Sequence, residues 1–322
     1  MGAEGIRLED APKPVSAGVQ PLGPAAWLRI AVITAAALAL FAVVRELPTG
    51  TNLSHMDFRV QGANVIEFCD PANPQFLPVV AVRSPVALAI ATAAEPRAGG
   101  EADATLTLRT FGGKPIAPED LLTVHTRRIH LMIVDASLDD YQHVHPEPGR
   151  IPGQWSFRFR PRFGGTYRFF ADFTPVATNR GLYASADVEV GGAPNPLPAE
   201  GRRLAWVAER DGCRFALVPG GLPIRAGRPA DLKLVVTRVD GGPVPLEPVM
   251  GAFAHLVAFD AGRTGFAHLH PNESDLSRRP DPVHPALTFQ VAIPASGRYV
   301  IWAQLNLGGR DAFAPFWFDV SP

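Results

Sequence analysis

The chain has 322 residues, which is enough for two domains of ordinary size, each able to bury its own core. Its 30 basic and 31 acidic residues leave a net charge of -1, so nothing in the charge balance suggests a nucleic-acid partner. Charged residues make up only 19%, whereas 30 glycines and 33 prolines favour short strands joined by turns over long helices.

The first predicted element is an apolar segment at residues 25–44. Arg29 is its only charge, and about twenty residues of helix span roughly 30 Å, the thickness of a bilayer core. We expect an uncleaved anchor in the inner membrane, with residues 1–24 as a cytoplasmic tail and the bulk of the chain in the periplasm. A cleaved signal peptide is the alternative, although the long preceding segment disfavours it.

A Pro-rich juxtamembrane linker is predicted at residues 45–80. Strand candidates then recur at close intervals, and the segment WSFRFR alternates apolar and polar side chains as a half-buried strand does. About seven short strands in each half predict an all-β chain of two tandem immunoglobulin-like β-sandwiches, at residues 81–192 and 202–322, joined by a linker at 193–201. Cys69 and Cys213 either form a disulfide in an oxidising compartment or stay unpaired.

One histidine pattern occurs twice, with an offset of 125 residues and no gap. The matched residues are His130, His143, His145 and Pro146 in the first copy, and His255, His268, His270 and Pro271 in the second. Five residues upstream, the same register pairs His125 with Met250. The repeat continues downstream, where Asp172 and Gln304 each lie five residues after a tyrosine. Histidine and methionine are metal ligands, so we read each copy as carrying a candidate metal site.

The spacing can place three imidazoles on one face of a β-hairpin. His143 and His145 are two residues apart and share a face at about 7 Å, and His130 joins them at about 5 Å if it lies opposite either one. A slip of one residue would send it to the other face. His125 and Met250 are an odd number of residues upstream, so they join only if a bend, bulge or loop intervenes.

Three neutral imidazoles suit copper or, as a second choice, zinc, and a methionine would soften the second site toward Cu(I). Asp172 can orient an imidazole through its second nitrogen, although a surface or capping role is the simpler expectation for it. The histidines can also be structural, since a duplicated domain inherits structural residues together.

The pairing of HLMIVDASLDDYQHVHPEP with the later GTYRFFADFTP resembles bacterial extracytoplasmic β-sandwich domains of the YtkA-like and CopC-like type. These domains are found near copper-resistance and heavy-metal transport genes. The resemblance covers roughly residues 80–320, one module for each copy. It implies a copper-related role in the envelope, with a metal transporter or another envelope protein as a partner.

Three functions therefore compete. The leading one is a membrane-anchored metal-binding protein for storage, delivery or resistance, without catalysis. The second is a two-domain copper-dependent monooxygenase that resembles the peptidylglycine type, although there the methionine follows the His-x-His pair and here Met250 precedes it. The third is a metal-free envelope scaffold with structural histidines.

Overall fold

The computed structural model describes residues 23–46, 53–58 and 76–322. The chain divides into two units, residues 1–49 and 50–322. Almost all of the predicted cytoplasmic tail and most of the predicted linker lie outside the described residues. Cys69 does as well, so its pairing with the buried Cys213 stays a prediction.

Helix α1 (Pro24–Glu46) belongs to the first unit. Within it, Pro24–Val43 is long and apolar enough to cross a membrane, and none of that segment is buried. Large apolar side chains such as Trp27 and Phe41 are exposed, as expected of a surface that meets lipid. By length and composition, the helix fits a membrane anchor or a signal sequence.

The first described element of the second unit is a short 3₁₀ helix, His55–Phe58, and the unit contains two tandem β-sandwiches, as predicted. The first sandwich has two four-stranded sheets, in the orders β1-β2-β6-β5 and β4-β3-β7-β8. Its strands are β1 (Val86–Thr92), β2 (Ala102–Thr110), β3 (Ile129–Val134), β4 (Tyr141–Val144), β5 (Glu147–Pro148), β6 (Gln154–Phe159), β7 (Gly165–Phe173) and β8 (Leu182–Val190). A 3₁₀ turn at Pro118–Asp120 precedes β3, and another at Ala199–Gly201 follows β8.

The second sandwich repeats this plan with additional short strands. One sheet has the order β16-β12-β10-β9, and the other has the order β11-β18-β17-β14-β15, with β13 also paired to β17. Its strands are β9 (Val207–Arg210), β10 (Cys213–Pro219), β11 (Ile224–Arg225), β12 (Pro229–Arg238), β13 (Leu246–Glu247), β14 (His255–Asp260), β15 (Phe266–Leu269), β16 (Ala286–Ala292), β17 (Gly297–Leu307) and β18 (Arg310–Ser321).

The outer strands show the alternation expected of half-buried sheets. In β6 the side chains of Trp155, Phe157 and Phe159 are buried, whereas Ser156 and Arg158 between them are exposed. Leu106 and Leu108 of β2 are fully buried against them. Because side chains alternate along a strand, the apolar set of each outer sheet lines one face and closes the core of its own sandwich.

The central strands of the inner sheets, β3 and β14, are buried on both faces. In β3, Leu131 and Ile133 belong to the core of the first sandwich, whereas Met132 and Val134 belong to a separate apolar cluster. This separate cluster, which we call the interdomain core, includes residues of both sandwiches: Leu77, Val79, Met132, Val134, Leu138, Tyr141, Phe170, Ala199, Val257, Phe259, Phe266, Val300, Trp302 and Trp317. The sheet β4-β3-β7-β8 therefore packs face to face on the sheet that contains β14, β15, β17 and β18. The second unit is a stack of four sheets.

Candidate metal centre

Four of the six repeated histidines lie in strands of the two inner sheets, and the other two directly follow such strands. His130 is on β3 and His143 on β4, and the pairing of Met132 with His143 puts both histidines on the face that meets the interdomain core. His255 on β14 and His268 on β15 have the same relation, since Val257 pairs with His268. His145 and His270 directly follow β4 and β15. This is the register that a three-histidine patch requires.

The first triad comprises His130, His143 and His145. One ligand atom of each lies within 4.8 Å of the others, so the three side chains can hold a metal ion. Nδ1 of His130 lies 3.2 Å from Nε2 of His143. His130 and His143 are buried, and His145 is half-buried.

The second triad comprises His255, His268 and His270, and it reproduces the first. Its three ligand atoms also lie within 4.8 Å of one another. Nδ1 of His255 lies 3.3 Å from Nε2 of His268. His255 has no exposed surface, and the side chain of His268 is only 6% exposed. The two copies therefore share atomic geometry as well as sequence spacing.

The hydrogen bonds around the first triad decide which nitrogens carry protons. The carbonyl oxygen of Val124 lies 3.1 Å from Nε2 of His130, and a carbonyl only accepts, so His130 is protonated on Nε2. Oε1 of Gln304 lies 2.8 Å from Nδ1 of His143, and the amide is oriented because its Nε2 donates to Asp311. His143 is therefore protonated on Nδ1. The two nitrogens at 3.2 Å both present lone pairs.

The second triad has the same arrangement. Nε2 of His255 donates to the carbonyl oxygen of Val249 at 3.0 Å. Nδ1 of His268 lies 3.2 Å from Oδ2 of Asp172 and donates to it when the carboxyl is ionised. The remaining nitrogens of His255 and His268 then face each other as two acceptors. Two unprotonated nitrogens this close repel unless a cation lies between them.

The spacing of these lone pairs matches a metal coordination sphere. A tetrahedral ion with imidazole nitrogens at about 2.0–2.1 Å holds those nitrogens about 3.3 Å apart. The observed 3.2 and 3.3 Å agree with that edge. Nε2 of His145 and Nε2 of His270 are buried and have no hydrogen-bond partner within the described residues, so each is free to act as the third ligand.

A proton is a poor alternative to a metal ion here. Burial, reinforced by neighbouring charge on His125 and Arg127, lowers the pKa of His130 to about 4. Burial and the adjacent histidines lower the pKa of His145 to about 3 and that of His270 to about 2. The pKa of His143 also lies well below its ordinary value, first because of burial. At neutral pH the triads are therefore uncharged, which is the state in which imidazole binds metal.

Each triad is supported by a side chain of the other sandwich. Gln304 on β17 of the second sandwich binds His143 of the first, and Asp172 on β7 of the first binds His268 of the second. For Asp172, a surface or capping role was the simpler expectation; the structure gives it an imidazole partner. Burial raises the pKa of Asp172 to about 7. Gln304 was not among the predicted site residues, although its place in the repeat was the available signal.

His125 and Met250 lie in matching turns. Both have a positive φ, 48° and 49°, and each turn is closed by an antiparallel bridge, Val124 with Arg127 and Val249 with Ala252. A turn therefore separates each of these residues from the strand that follows it. Such a turn is what their sequence spacing requires for either residue to approach a triad. The ring of His125 stacks on His270 of the second triad at 3.8 Å, while Met250 is half-buried.

The family model described as "Domain of unknown function (DUF8832)" matches residues 85–191 and again residues 208–322. No curated protein matches the chain. Among solved structures, the chain is similar to the alpha-2-macroglobulin of Escherichia coli, at 13% identity and a TM-score of 0.25. The match covers 74% of this chain and 17% of the alpha-2-macroglobulin chain. A Corynebacterium diphtheriae protein, provisionally described as membrane anchored, matches at 10% identity and a TM-score of 0.24, covering 73% and 59%. The chain therefore spans under two thirds of either protein.

Proposed function

The chain belongs to the DUF8832 family in two copies, and on that premise we propose that it is a membrane-anchored extracytoplasmic protein that binds copper at the two histidine triads. Its role is storage, delivery or resistance, and the protein catalyses nothing. Helix α1 holds it at the inner membrane, and a metal transporter or another envelope protein receives or supplies the ion.

The pair of facing lone pairs in each triad carries this proposal. A structural histidine satisfies both of its ring nitrogens with donors or acceptors of opposite kind. Here the carbonyl of Val124 and the amide of Gln304 fix the outer nitrogens of His130 and His143, so that two acceptors meet at 3.2 Å. When Asp172 is ionised, the second triad repeats this unfavourable contact at 3.3 Å. A bound cation turns both contacts into ligand pairs.

The donor set favours copper or zinc over harder ions. Each triad offers only imidazole nitrogens, which suit Cu and Zn, whereas Mg²⁺ and Ca²⁺ require oxygen ligands. Three protein ligands leave a fourth position open. We favour copper because the proposed envelope location and the resemblance to copper-resistance domains both support it. Zinc is the alternative ion, and the titration distinguishes the two.

The test is a titration of the full-length, metal-free protein in detergent with Cu(I), Cu(II) and Zn(II). Two variants each remove one triad, His143→Ala/His145→Ala and His268→Ala/His270→Ala. His284→Ala is the matched control because His284 is exposed and lies outside both triads.

We expect two equivalents of metal in the wild type and the control, one in each double variant and none in the variant that combines them. Circular dichroism establishes that each variant is folded. A folded wild-type protein that binds none of the three ions would contradict the proposal and make the histidines structural. Oxygen consumption driven by ascorbate, measured on the copper-loaded protein, would instead indicate the monooxygenase.

A further inference from the structure

We infer that the two triads form one paired two-metal centre, in which each sandwich orients a ligand of the other. This inference rests on the proposed function, because it concerns how the two bound ions are related. It goes further in making the centre a property of the docked pair of sandwiches rather than of either copy.

The triads are in direct contact. The ring of His268 lies 5.5 Å from that of His130 and 5.6 Å from that of His143. Within the triads, the rings of His130 and His143 are 5.3 Å apart and those of His255 and His268 are 5.4 Å apart. The shortest ring separations between the triads are therefore only slightly longer than those inside each one, and no layer of side chains lies between the two sites.

The supporting groups are exchanged across the interface. His143 donates to Gln304, 161 residues away in the second sandwich, and His268 contacts Asp172, 96 residues away in the first. His125 of the first sandwich stacks on His270 of the second. A partner on the outer nitrogen of a metal-binding imidazole fixes its tautomer and orientation, so neither sandwich alone holds its triad ready for metal.

The exchange also makes the two sites unlike. His143 is supported by a neutral amide, whereas His268 is supported by a carboxylate, and a carboxylate partner increases the basicity of a ligating imidazole. The second triad therefore fills first when one equivalent of a divalent ion is added. The first triad fills second, against the repulsion of an ion that is already bound nearby.

Stepwise loading with Cu(II), followed by electron paramagnetic resonance, tests the pairing. The first equivalent should give the spectrum of an isolated Cu(II) ion, and the second should broaden it and reduce its intensity below that of two independent spins. His268→Ala/His270→Ala and His143→Ala/His145→Ala each keep one site and should show only the isolated spectrum.

Titrations with Zn(II) and Cu(I) test the pairing of the two sites without relying on Cu(II) binding. The first triad should bind at least about tenfold more tightly when it is the only site, in His268→Ala/His270→Ala, than it does as the second site of the wild type. Placed in His143→Ala/His145→Ala, where the second triad is the only site, Asp172→Asn should weaken that triad by about 10–100-fold. Asp103→Asn, on the outer sheet, is the matched control and should not weaken it.

The possible results of these experiments separate the paired centre, the exchanged support and metal binding itself. Two equivalents that give the sum of two isolated spectra, with equal and independent affinities, would overturn the paired centre while metal binding stands. An Asp172→Asn variant that binds like the wild type would overturn the exchanged support. A folded protein that binds no ion would overturn the proposed function itself.

Discussion

Burial makes the triad histidines resist protonation, and this has consequences for the folded chain without metal. An imidazole titrates near pH 6.5 in water. Burial lowers the pKa of His255 to about 3 and that of His270 to about 2, and in both cases the neighbouring histidines add to the effect. Between these values and pH 6.5, the unfolded chain binds protons that the folded chain cannot.

We predict that the free energy of unfolding of the metal-free protein falls as the pH drops below about 6.5. Because the unfolded state binds more protons there, stability increases with pH, by at most about 1.4 kcal/mol per pH unit for each such histidine, and the dependence continues down to the folded pKa values near 3. Urea denaturation at pH 7.5, 6.5 and 5.5 measures the slope.

The slope should be shallower in His268→Ala/His270→Ala. Equal stability at pH 7.5 and pH 5.5 in the wild type would show that the triads are accessible to protons. Bound metal should raise the free energy of unfolding, because it binds the folded chain. The decrease with falling pH should still begin near pH 6.5, where the unfolded histidines take up protons.

At the scale of elements, the turns before β3 and β14 are the same structure built from different residues. In the first turn both central residues, His125 and Thr126, have a positive φ, and in the second the pair is Met250 and Gly251. Threonine is β-branched and rarely adopts this conformation. The first turn therefore carries strain that glycine removes from the second.

This difference predicts opposite effects for reciprocal substitutions. Gly251→Thr should lower the free energy of unfolding by roughly 1 kcal/mol, because a left-handed residue costs about 1–2 kcal/mol and the loss of glycine entropy in the unfolded chain offsets about 0.5–1 kcal/mol. Thr126→Gly should raise stability by up to about 1 kcal/mol. An added Cβ at Gly251 meets no atom within 4 Å, so backbone strain alone is measured.

Urea denaturation of the two single variants and the double swap checks this prediction. The effects should be additive, because each substitution changes the backbone strain of its own turn. A stabilising Gly251→Thr would be inconsistent with strain as the dominant effect.

The local elements followed from the sequence, and the docking of the sandwiches did not. The segment WSFRFR, predicted to be a half-buried strand, forms most of β6 and has the alternating burial expected of one. The apolar runs of β3 and β14, which read IHLMIV and HLVAFD, were signals of strands buried on both faces. The side chains that pack on the second face of these strands come from distant parts of the chain, so local patterns do not predict them. The hydrogen bond between His143 and Gln304 likewise joins residues 161 positions apart.

At the scale of the whole second unit, the interdomain core packs the two sandwiches against each other through buried apolar side chains. Phe259 has no exposed surface, and its ring lies 5.9 Å from that of Phe170 and 5.7 Å from that of Tyr141 in the other sandwich. The indole of Trp302 donates across the interface to the carbonyl oxygen of Leu138. The triads lie on these same two facing sheets, so their geometry depends on how the sheets dock.

Two phenylalanine truncations separate docking from general stability. Phe259→Ala removes a side chain of the interdomain core, and Phe289→Ala removes an equally buried one from the core of the second sandwich. Each should lower the free energy of unfolding by about 3–5 kcal/mol, because each leaves a cavity. Only Phe259→Ala should also loosen the exchanged support of the triads and weaken metal binding, by about tenfold or more. Denaturation and metal titration of both variants measure the two effects, and equal metal affinities in the two would mean that each triad is organised within its own sandwich.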